Sequence, residues 1–134
     1  MLITRETDYA LRLLRALSGG ERRTAGALCS AELVPQQFGY KILKKLNKAG
    51  LVSITRGVDG GCLLAKPLET ITLYDTMSAM DADTAVSACT DPDFPCLRRQ
   101  TKGCTLHPRL CAIQRTLDDE LKSHTLAALF AEAT

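Results

Sequence analysis

The sequence lacks any apolar run close to the ~20 residues that a membrane-spanning helix needs. Its first ten residues, MLITRETDYA, also lack the apolar stretch of a secretory signal peptide. Tryptophan is absent, and aromatic residues make up only 4% of the chain. The lack of a membrane span and of a signal peptide predicts a cytoplasmic protein with no membrane contact. Because thiols stay reduced in that compartment, the six cysteines indicate metal or redox chemistry rather than disulfide bonds.

The net charge of +2 is small, but the charges are unevenly distributed along the 134 residues. Residues 1–66 contain eleven Lys or Arg against five Asp or Glu, a net charge of +6. Residues 67–134 contain six against ten, a net charge of −4. This pattern favours a polyanion-binding first part and a second part with another role, although mixed charges can also simply keep a surface soluble.

The first fifty residues carry the signals of three helices. Thr4 and Thr24 can cap the first two, Pro35 suits the first position of the third, and Gly50 ends it. The core face predicted for the third helix comprises Phe38, Ile42, Leu46 and Ala49. The adjoining face is cationic and comprises Lys41, Lys44, Lys45 and Lys48. As the second helix of a helix-turn-helix unit, such a helix favours nucleic-acid binding over a merely solvated charged face.

The segment LVSITRGVDGGCLLAK predicts a β-hairpin directly after these helices. Its two strands are expected at residues 51–55 and 62–66, around the turn-forming pair Asp59-Gly60. A helix-turn-helix followed by a hairpin is a winged helix, whose second helix can enter the major groove of DNA. The sequence therefore predicts a DNA-binding unit.

The second half of the chain predicts a sensor or dimerisation part. A capping-box pattern, Thr72 with Asp75, begins a short helix that ends near residue 80. Helical periodicity is then absent from 81 to 103, and Pro108 can begin a long amphipathic helix. Its apolar stripe, Leu110, Ile113, Leu117 and Leu121, needs a cover, which favours a homodimer over packing on the chain's own first helix.

The expected fold class is mostly α with a small β-hairpin: a winged helix-turn-helix plus a long C-terminal dimerisation helix. The expected divisions are a DNA-binding domain at 1–80, a cysteine-rich segment at 81–107, and a dimerisation helix with its tail at 108–134.

Four of the six cysteines lie in the segment ACTDPDFPCLRRQTKGCTLHPRLC. Gaps of six and seven residues separate Cys89, Cys96 and Cys104, longer than the C-x2–4-C pairs typical of structural zinc. Long gaps with Pro and Gly suit an iron–sulfur cluster, which needs three or four thiolates from a loose loop. Zinc, an adventitious disulfide and a Cys–His catalytic pair stay open as weaker alternatives. Cys29 and Cys62, within predicted elements, are expected to be buried small hydrophobes.

Several motifs, taken in order, resemble the Rrf-two family of bacterial winged-helix regulators, which includes the iron–sulfur cluster regulator and the nitric-oxide-sensing repressor. They are TDYALRLLRALS, LNKAGLVSITRGVDGGCLLAK, ITLYDTMSAMD, the cysteine segment and TLAALF. The resemblance covers essentially the whole chain. It implies a homodimer with crossed C-terminal helices and a cluster site in the loop before them.

The resemblance also implies a set of ligands for a 2Fe–2S or 4Fe–4S cluster. By motif position its thiolates are Cys89, Cys96 and Cys104. The fourth ligand is left open between His107, Asp8 from the opposite subunit, and Cys111, a thiol that the two named members lack. The gaps also differ from the x5, x5 pattern of those members, so ligand identity and cluster type stay open.

For DNA contact, the family positions correspond to Pro35, Gln37, Phe38 and Lys41 on the reading helix and to Arg56 and Gly57 in the wing. Lys44 and Lys45 join them on the cationic face. The resulting hypothesis is a non-enzymatic transcriptional regulator, expected to be a repressor, which takes no small-molecule substrate. Its affinity for a double-stranded DNA operator would depend on a cluster that senses redox state, nitric oxide or iron–sulfur status. A zinc- or thiol-stabilised regulator without a cluster, or a small redox protein, are the alternatives.

Overall fold

Helices and one hairpin follow each other in the predicted order. The structure, a computed structural model, describes residues 1–132, and the bounds below apply to that range. The helices are α1 (Arg5–Ala16), α2 (Ala25–Glu32), α3 (Gln36–Lys48), α4 (Leu73–Ala79), α5 (Leu97–Lys102), α6 (Leu106–Ser123) and α7 (Leu126–Phe130). The strands are β1 (Val52–Thr55) and β2 (Gly61–Leu64). The predicted fold class, a winged helix-turn-helix with a long C-terminal helix, is confirmed.

Side-chain caps start the helices where the sequence predicts them. Thr4, Thr24 and Thr72 each accept a hydrogen bond from the backbone N–H three residues further on. At α4 the carboxylate of Asp75 also accepts from the Thr72 N–H at 2.9 Å, which completes the capping box. These bonds satisfy N–H groups that have no partner within the helix, so they fix where each helix begins.

The core lies where α1, α2 and α3 meet the hairpin. Most of its members are leucines from these elements, and several are fully inaccessible to solvent: Leu13, Leu14, Leu28 and Leu46. The same cluster continues into Ile71 and Leu126, which come from the second half of the chain. The helix-turn-helix, the wing and the C-terminal tail therefore share one hydrophobic core.

The buried face of α3 differs from the predicted one. It consists of Gly39, Ile42, Leu43 and Leu46, whereas Ala49 is exposed and Phe38 is 56% exposed. The prediction was wrong for Phe38 and Ala49 because α3 packs against both α1 and α2, which turns its buried face toward Gly39 and Leu43. Phe38 lies at the edge of the helix pair, with its ring centroid 6.3 Å from that of Tyr9.

Gly39 allows α2 and α3 to approach closely. A Cβ at this position would overlap the sulfur of Cys29, while its next neighbour, the Cγ1 of Val34, would be at an ordinary 3.7 Å. We expect Gly39→Ala to destabilise the protein, because overpacking costs about 1–3 kcal/mol and the better helix propensity of alanine offsets about 1 kcal/mol.

The matched experiment repeats Gly39→Ala in a Cys29→Ala background, where the overlapping sulfur is gone. There the substitution should stabilise, by up to about 1 kcal/mol. Urea unfolding of the four proteins measures both effects. An equal destabilisation in the two backgrounds would contradict the assigned contact.

The hairpin is shorter than predicted and carries a third paired segment. Val52 pairs with Leu64 and Thr55 with Gly61, so each strand covers four residues. Arg23, just before α2, pairs with Cys62 through backbone hydrogen bonds of 3.1 and 2.7 Å. The wing is thereby joined to the chain between α1 and α2.

The segment predicted to lack structure from 81 to 103 contains a 3-10 turn at Ala88–Thr90 and the helix α5. The sequence of α5, LRRQTK, is six residues long and has no apolar face, so periodicity could not reveal it. The long helix begins at Leu106 rather than Pro108, and Pro108 occupies its first turn, where a missing N–H breaks no helical hydrogen bond.

The end of the chain returns to the winged helix. The N–H of Leu126 donates to the Ile71 carbonyl at 2.8 Å, and that of Leu73 donates to the His124 carbonyl at 2.9 Å, forming a bridge between Thr72 and Thr125. In residues 1–132, no helix is long and apolar enough to cross a membrane. Two residues of the 108–134 segment, Ala133 and Thr134, lie outside the described residues.

Candidate functional site

The first half of α3 is open to solvent. Pro35, Gln37, Phe38 and Lys41 are all exposed, although they belong to the helix that carries part of the core. Pro35 caps the helix and does not occupy its first turn. The preceding residue that ends α2, Leu33, adopts a left-handed conformation with φ 56° and is 83% exposed. This end of the helix can therefore approach a large partner without any rearrangement of the core.

The lysines of α3 do not form one uniform face. Lys41 and Lys44 are exposed, and Lys41 borders a groove of about 390 Å³ between α1 and α3 that Arg5 and Tyr9 also line. Lys45 instead contacts Glu6 of α1 at 2.7 Å and Asp81, after α4, at 3.9 Å. Its ammonium group is thus engaged by carboxylates away from the exposed half of the helix.

The wing presents Arg56 and Gly57 to solvent. Gly57 has a φ of 109°, a conformation that favours glycine. The guanidinium of Arg22 donates to the carbonyl oxygen of Asp59 at 3.0 Å and so supports the turn from the side of α2. Arg22 was not predicted to have a role, because nothing in the sequence links it to a turn 37 residues further on.

Cys29 and Cys62 are buried, with 1% and 2% of their surface exposed, as predicted. Burial raises the pKa of both thiols, and proximity to Cys29 raises the pKa of Cys62 further. A thiol with a raised pKa stays protonated, and the thiolate is the metal ligand. These two residues therefore act as part of the core.

The other four cysteines, Cys89, Cys96, Cys104 and Cys111, are half-buried free thiols. Their donor chemistry fits an iron–sulfur cluster, because soft thiolates on a loop are its usual ligands. Within residues 1–132, however, no three Cys, His, Asp or Glu side chains are grouped so that they could hold a metal ion. The thiols would have to converge when a cluster binds.

His107, at the start of α6, lies between Arg99 and Cys111. Its Nε2 is 3.1 Å from Nη1 of Arg99, and its Nδ1 is 3.8 Å from the sulfur of Cys111. Arg99 also donates to the Phe94 carbonyl at 3.3 Å, which orients the guanidinium. A guanidinium can only donate, so it occupies the lone pair of a neutral imidazole.

Asp8 lies on α1, on the surface of the winged helix. Its carboxylate pairs with Arg12 one turn further on, at 2.9 Å, and its side chain is 46% exposed. It also lines an open cavity of about 490 Å³ that includes Met1 and Thr4. The carboxylate is therefore accessible to a second protomer.

Gln114 of α6 is a contact residue that the sequence analysis missed. Its side-chain amide bonds to the backbone at Thr84 and Val86, which begin the segment that carries Cys89. A single glutamine within a helix gives no sequence signal, so only the folded chain reveals this contact.

One side of α6 carries an uncovered apolar surface. Ile113 is 55% exposed and lines an open groove of about 510 Å³. The residues around it are Ala112, Thr116, Leu117 and Glu120. Leu121, at the end of the predicted stripe, is buried against the protein's own chain. The stripe is therefore covered at its end and open in its middle.

Comparison with known proteins gives one consistent result. A family model described as "Rrf2: Iron-dependent Transcriptional regulator" matches residues 3–132. Protein aau3 of Rhizobium meliloti (strain 1021) is 35% identical over 91 residues, which are 66% of this chain and 59% of that protein. The matched part thus spans less than two thirds of that relative.

Solved structures share the fold. The global cysteine regulator CymR of B. subtilis superposes with a TM-score of 0.73 at 20% identity, covering 100% of this chain and 99% of the other. The T. potens IscR superposes with a TM-score of 0.69 at 17% identity, covering 96% and 85%. An oxidized form of Staphylococcus aureus CymR gives 0.69 at 20% identity, covering 100% and 99%.

Proposed function

Because this chain belongs to the Rrf2 family of DNA-binding transcriptional regulators, we propose that it binds an operator as a homodimer under the control of an iron–sulfur cluster. One observation carries this proposal: the exposed, basic end of a winged helix and four half-buried free thiols occur in one chain. The first can bind DNA and the second can bind a cluster, so the protein can link the two.

The proposed DNA contacts divide into reading and positioning residues. Gln37 on α3 can form two hydrogen bonds with adenine in the major groove, while Lys41 and Lys44 are suited to phosphates. Arg56, with Gly57 beside it, can enter a narrow minor groove. Pro35 and Phe38 shape the end of the helix that meets the bases.

The proposed dimer uses the open middle of the α6 stripe. Two copies of the groove around Ile113 would cover each other about a two-fold axis, as the symmetry of homodimers requires. A two-fold dimer places two reading helices on two half-sites, so a change in α6 alters their spacing.

The proposed thiolates are Cys89, Cys96 and Cys104. A bound iron–sulfur cluster supplies a centre that changes with oxidants, nitric oxide or iron supply. The protein's part is to hold the cysteine segment in one conformation when the cluster is present and to release it otherwise. A regulator of this type shifts a two-state equilibrium whose states differ in operator affinity.

For the fourth ligand we propose Cys111 rather than His107. Arg99 takes up the lone pair of His107 that a metal would need, whereas the sulfur of Cys111 is in contact with only the imidazole edge. With Nε2 accepting from Arg99, the Nδ1 N–H of His107, 3.8 Å from the sulfur, can donate to the Cys111 thiolate and so orient it. Asp8 of the opposite subunit is the competing ligand, and an Asp8→Asn variant that loses the cluster would favour it.

Anaerobic reconstitution tests the proposed function. We expect protein with bound iron and sulfide, and an operator affinity that differs at least about fivefold between loaded and cluster-free protein. Titration of operator DNA at several salt concentrations gives the affinities. A colourless protein, or equal affinity in the two forms, would contradict cluster control.

The lysines of α3 provide a matched pair for testing the DNA contacts. Lys44→Ala should weaken operator binding and reduce the slope of log affinity against log salt by about 1, because one phosphate contact is lost. Lys45→Ala should leave that slope unchanged, because Glu6 already holds its ammonium group. Equal slope changes in the two variants would contradict this division.

A second candidate function is a thiol-based regulator without a cluster. The observation that favours it is that in the described chain the reduced thiols form no metal-binding group. CymR of B. subtilis, which has a similar fold, is described as a global cysteine regulator, and the Staphylococcus aureus CymR has been solved in an oxidized form. Bound zinc alone, or an operator affinity that follows thiol oxidation in iron-free protein, would favour this alternative.

A further inference from the structure

Gln114 joins α6 to the segment that contains Cys89. Its Nε2 donates to the carbonyl oxygen of Thr84 at 3.0 Å, and its Oε1 accepts from the N–H of Val86 at 2.8 Å. The side-chain amide thus pairs with two backbone groups, as a neighbouring β-strand would. The segment is docked on α6 without forming a regular element there.

This amide uses both of its N–H donors and one of its acceptor lone pairs. Its Nε2 also donates to Oδ1 of Asp118, one turn along α6, at 2.9 Å, and the hydroxyl of Thr90 lies 3.4 Å from Oε1. The single proton of the Thr90 hydroxyl goes to the Ser87 carbonyl at 2.7 Å, so the bonded groups of the amide are its two N–H donors and one of its two acceptor lone pairs. Asp118 fixes the side-chain rotamer, and the remaining contacts fix the docked segment.

Cys89 lies between two of the residues that Gln114 contacts, Val86 and Thr90. The hydroxyl of Ser87 is 3.4 Å from the Cys89 sulfur, and Thr90 donates to the Ser87 carbonyl at 2.7 Å. These bonds make residues 86–90 a tight turn. A change in the backbone around Cys89 therefore has to disturb the bonds to Gln114.

We propose that Gln114 is the positioning residue that couples the conformation of residues 84–90, which contain Cys89, to α6. Its neighbour Ile113 lies on the open apolar surface, so a shift of Gln114 reaches that surface within one residue. The inference rests on the proposed function, because the coupling has a readout only if the cysteine segment changes state.

The experiment compares Gln114→Met with Gln100→Met, an exposed glutamine of α5 that serves as control. Hydrogen exchange should be at least about tenfold faster at residues 84–90 in Gln114→Met and unchanged in α1 and α3, because the Val86 N–H loses its partner. The ratio of operator affinity between loaded and cluster-free protein should fall to within about twofold of unity, from the at least fivefold difference expected for wild type. Gln100→Met should change neither quantity.

A second variant, Gln114→Glu, keeps the acceptor for Val86 but loses both donors and places a carboxylate beside Asp118. It should lose the affinity ratio while retaining more protection at Val86 than Gln114→Met. Unchanged exchange at 84–90 in both variants, or a wild-type affinity ratio that survives in both, would overturn the inference. Equal affinity of loaded and cluster-free wild type would instead contradict the proposed function itself.

Discussion

Substituting Leu126 by alanine should lower the free energy of unfolding by about 2–5 kcal/mol. The Leu126 side chain is fully inaccessible to solvent and belongs to the core that α1, α2 and α3 build. Removing this side chain leaves a cavity where α7 meets the winged helix. Because the Leu126 N–H is bonded to the Ile71 carbonyl, the surrounding backbone can close the cavity only in part. Urea unfolding of the cluster-free protein, at one protein concentration and under reducing conditions, measures the loss.

Leu129 provides the matched control for this substitution. It lies on the same short helix but is 44% exposed, so Leu129→Ala should change stability by no more than about 0.5 kcal/mol. Similar losses in the two variants would mean that α7 does not dock through Leu126. A large loss in Leu126→Ala alone would identify the tail as part of the DNA-binding core.

We expect three single variants, Cys89→Ser, Cys96→Ser and Cys104→Ser, to lose the cluster. After reconstitution, each should bind less than about a tenth of the iron and sulfide that wild type binds. Serine preserves the size and polarity of the position but replaces a soft sulfur ligand by a hard, protonated oxygen. The operator affinity of each variant, with or without reconstitution, should equal that of cluster-free wild type. Metal analysis and visible absorbance give the content, and DNA titration gives the affinity.

The buried thiols serve as controls for the ligand variants. Cys29→Ala and Cys62→Ala should retain the full iron content and lose only stability, because their side chains are enclosed by the core. Retention of the cluster in all three serine variants would exclude these residues as its ligands. Loss of iron in Cys62→Ala would place a ligand beneath the wing and contradict the assignment.

The sequence allowed most of the fold to be predicted, because its signals are local. Threonine caps at residues 4, 24 and 72, helical periodicity and the Asp59-Gly60 turn all act over a few residues, and each element they indicate is present. The family resemblance was confirmed by the match over residues 3–132. Helix α5 escaped prediction because its six residues have no apolar face, and the exposure of Phe38 escaped it because that depends on how α3 packs against α1 and α2.

The candidate site was predictable as a set of residue types but not as a set of contacts. The thiols, His107 and the lysines were visible in the sequence. That Lys45 is held by Glu6, that Arg99 takes the imidazole of His107, and that Gln114 holds the cysteine segment were not. Each of these pairings joins residues from different elements of the fold, and no periodic pattern records them.

The bridge between Thr72 and Thr125 has a consequence for how the chain tolerates change. Residues 73–124 begin and end at adjacent points. Helix α4 still packs on α1 and α3, and Met80 after it belongs to the core, whereas the cysteine segment that follows contributes nothing to the core cluster. A loop with its ends held in this way can gain or lose residues at little entropic cost. The unusual spacings of six and seven residues between the cysteines can be accommodated inside it, while the geometry of the wing and reading helix stays the same.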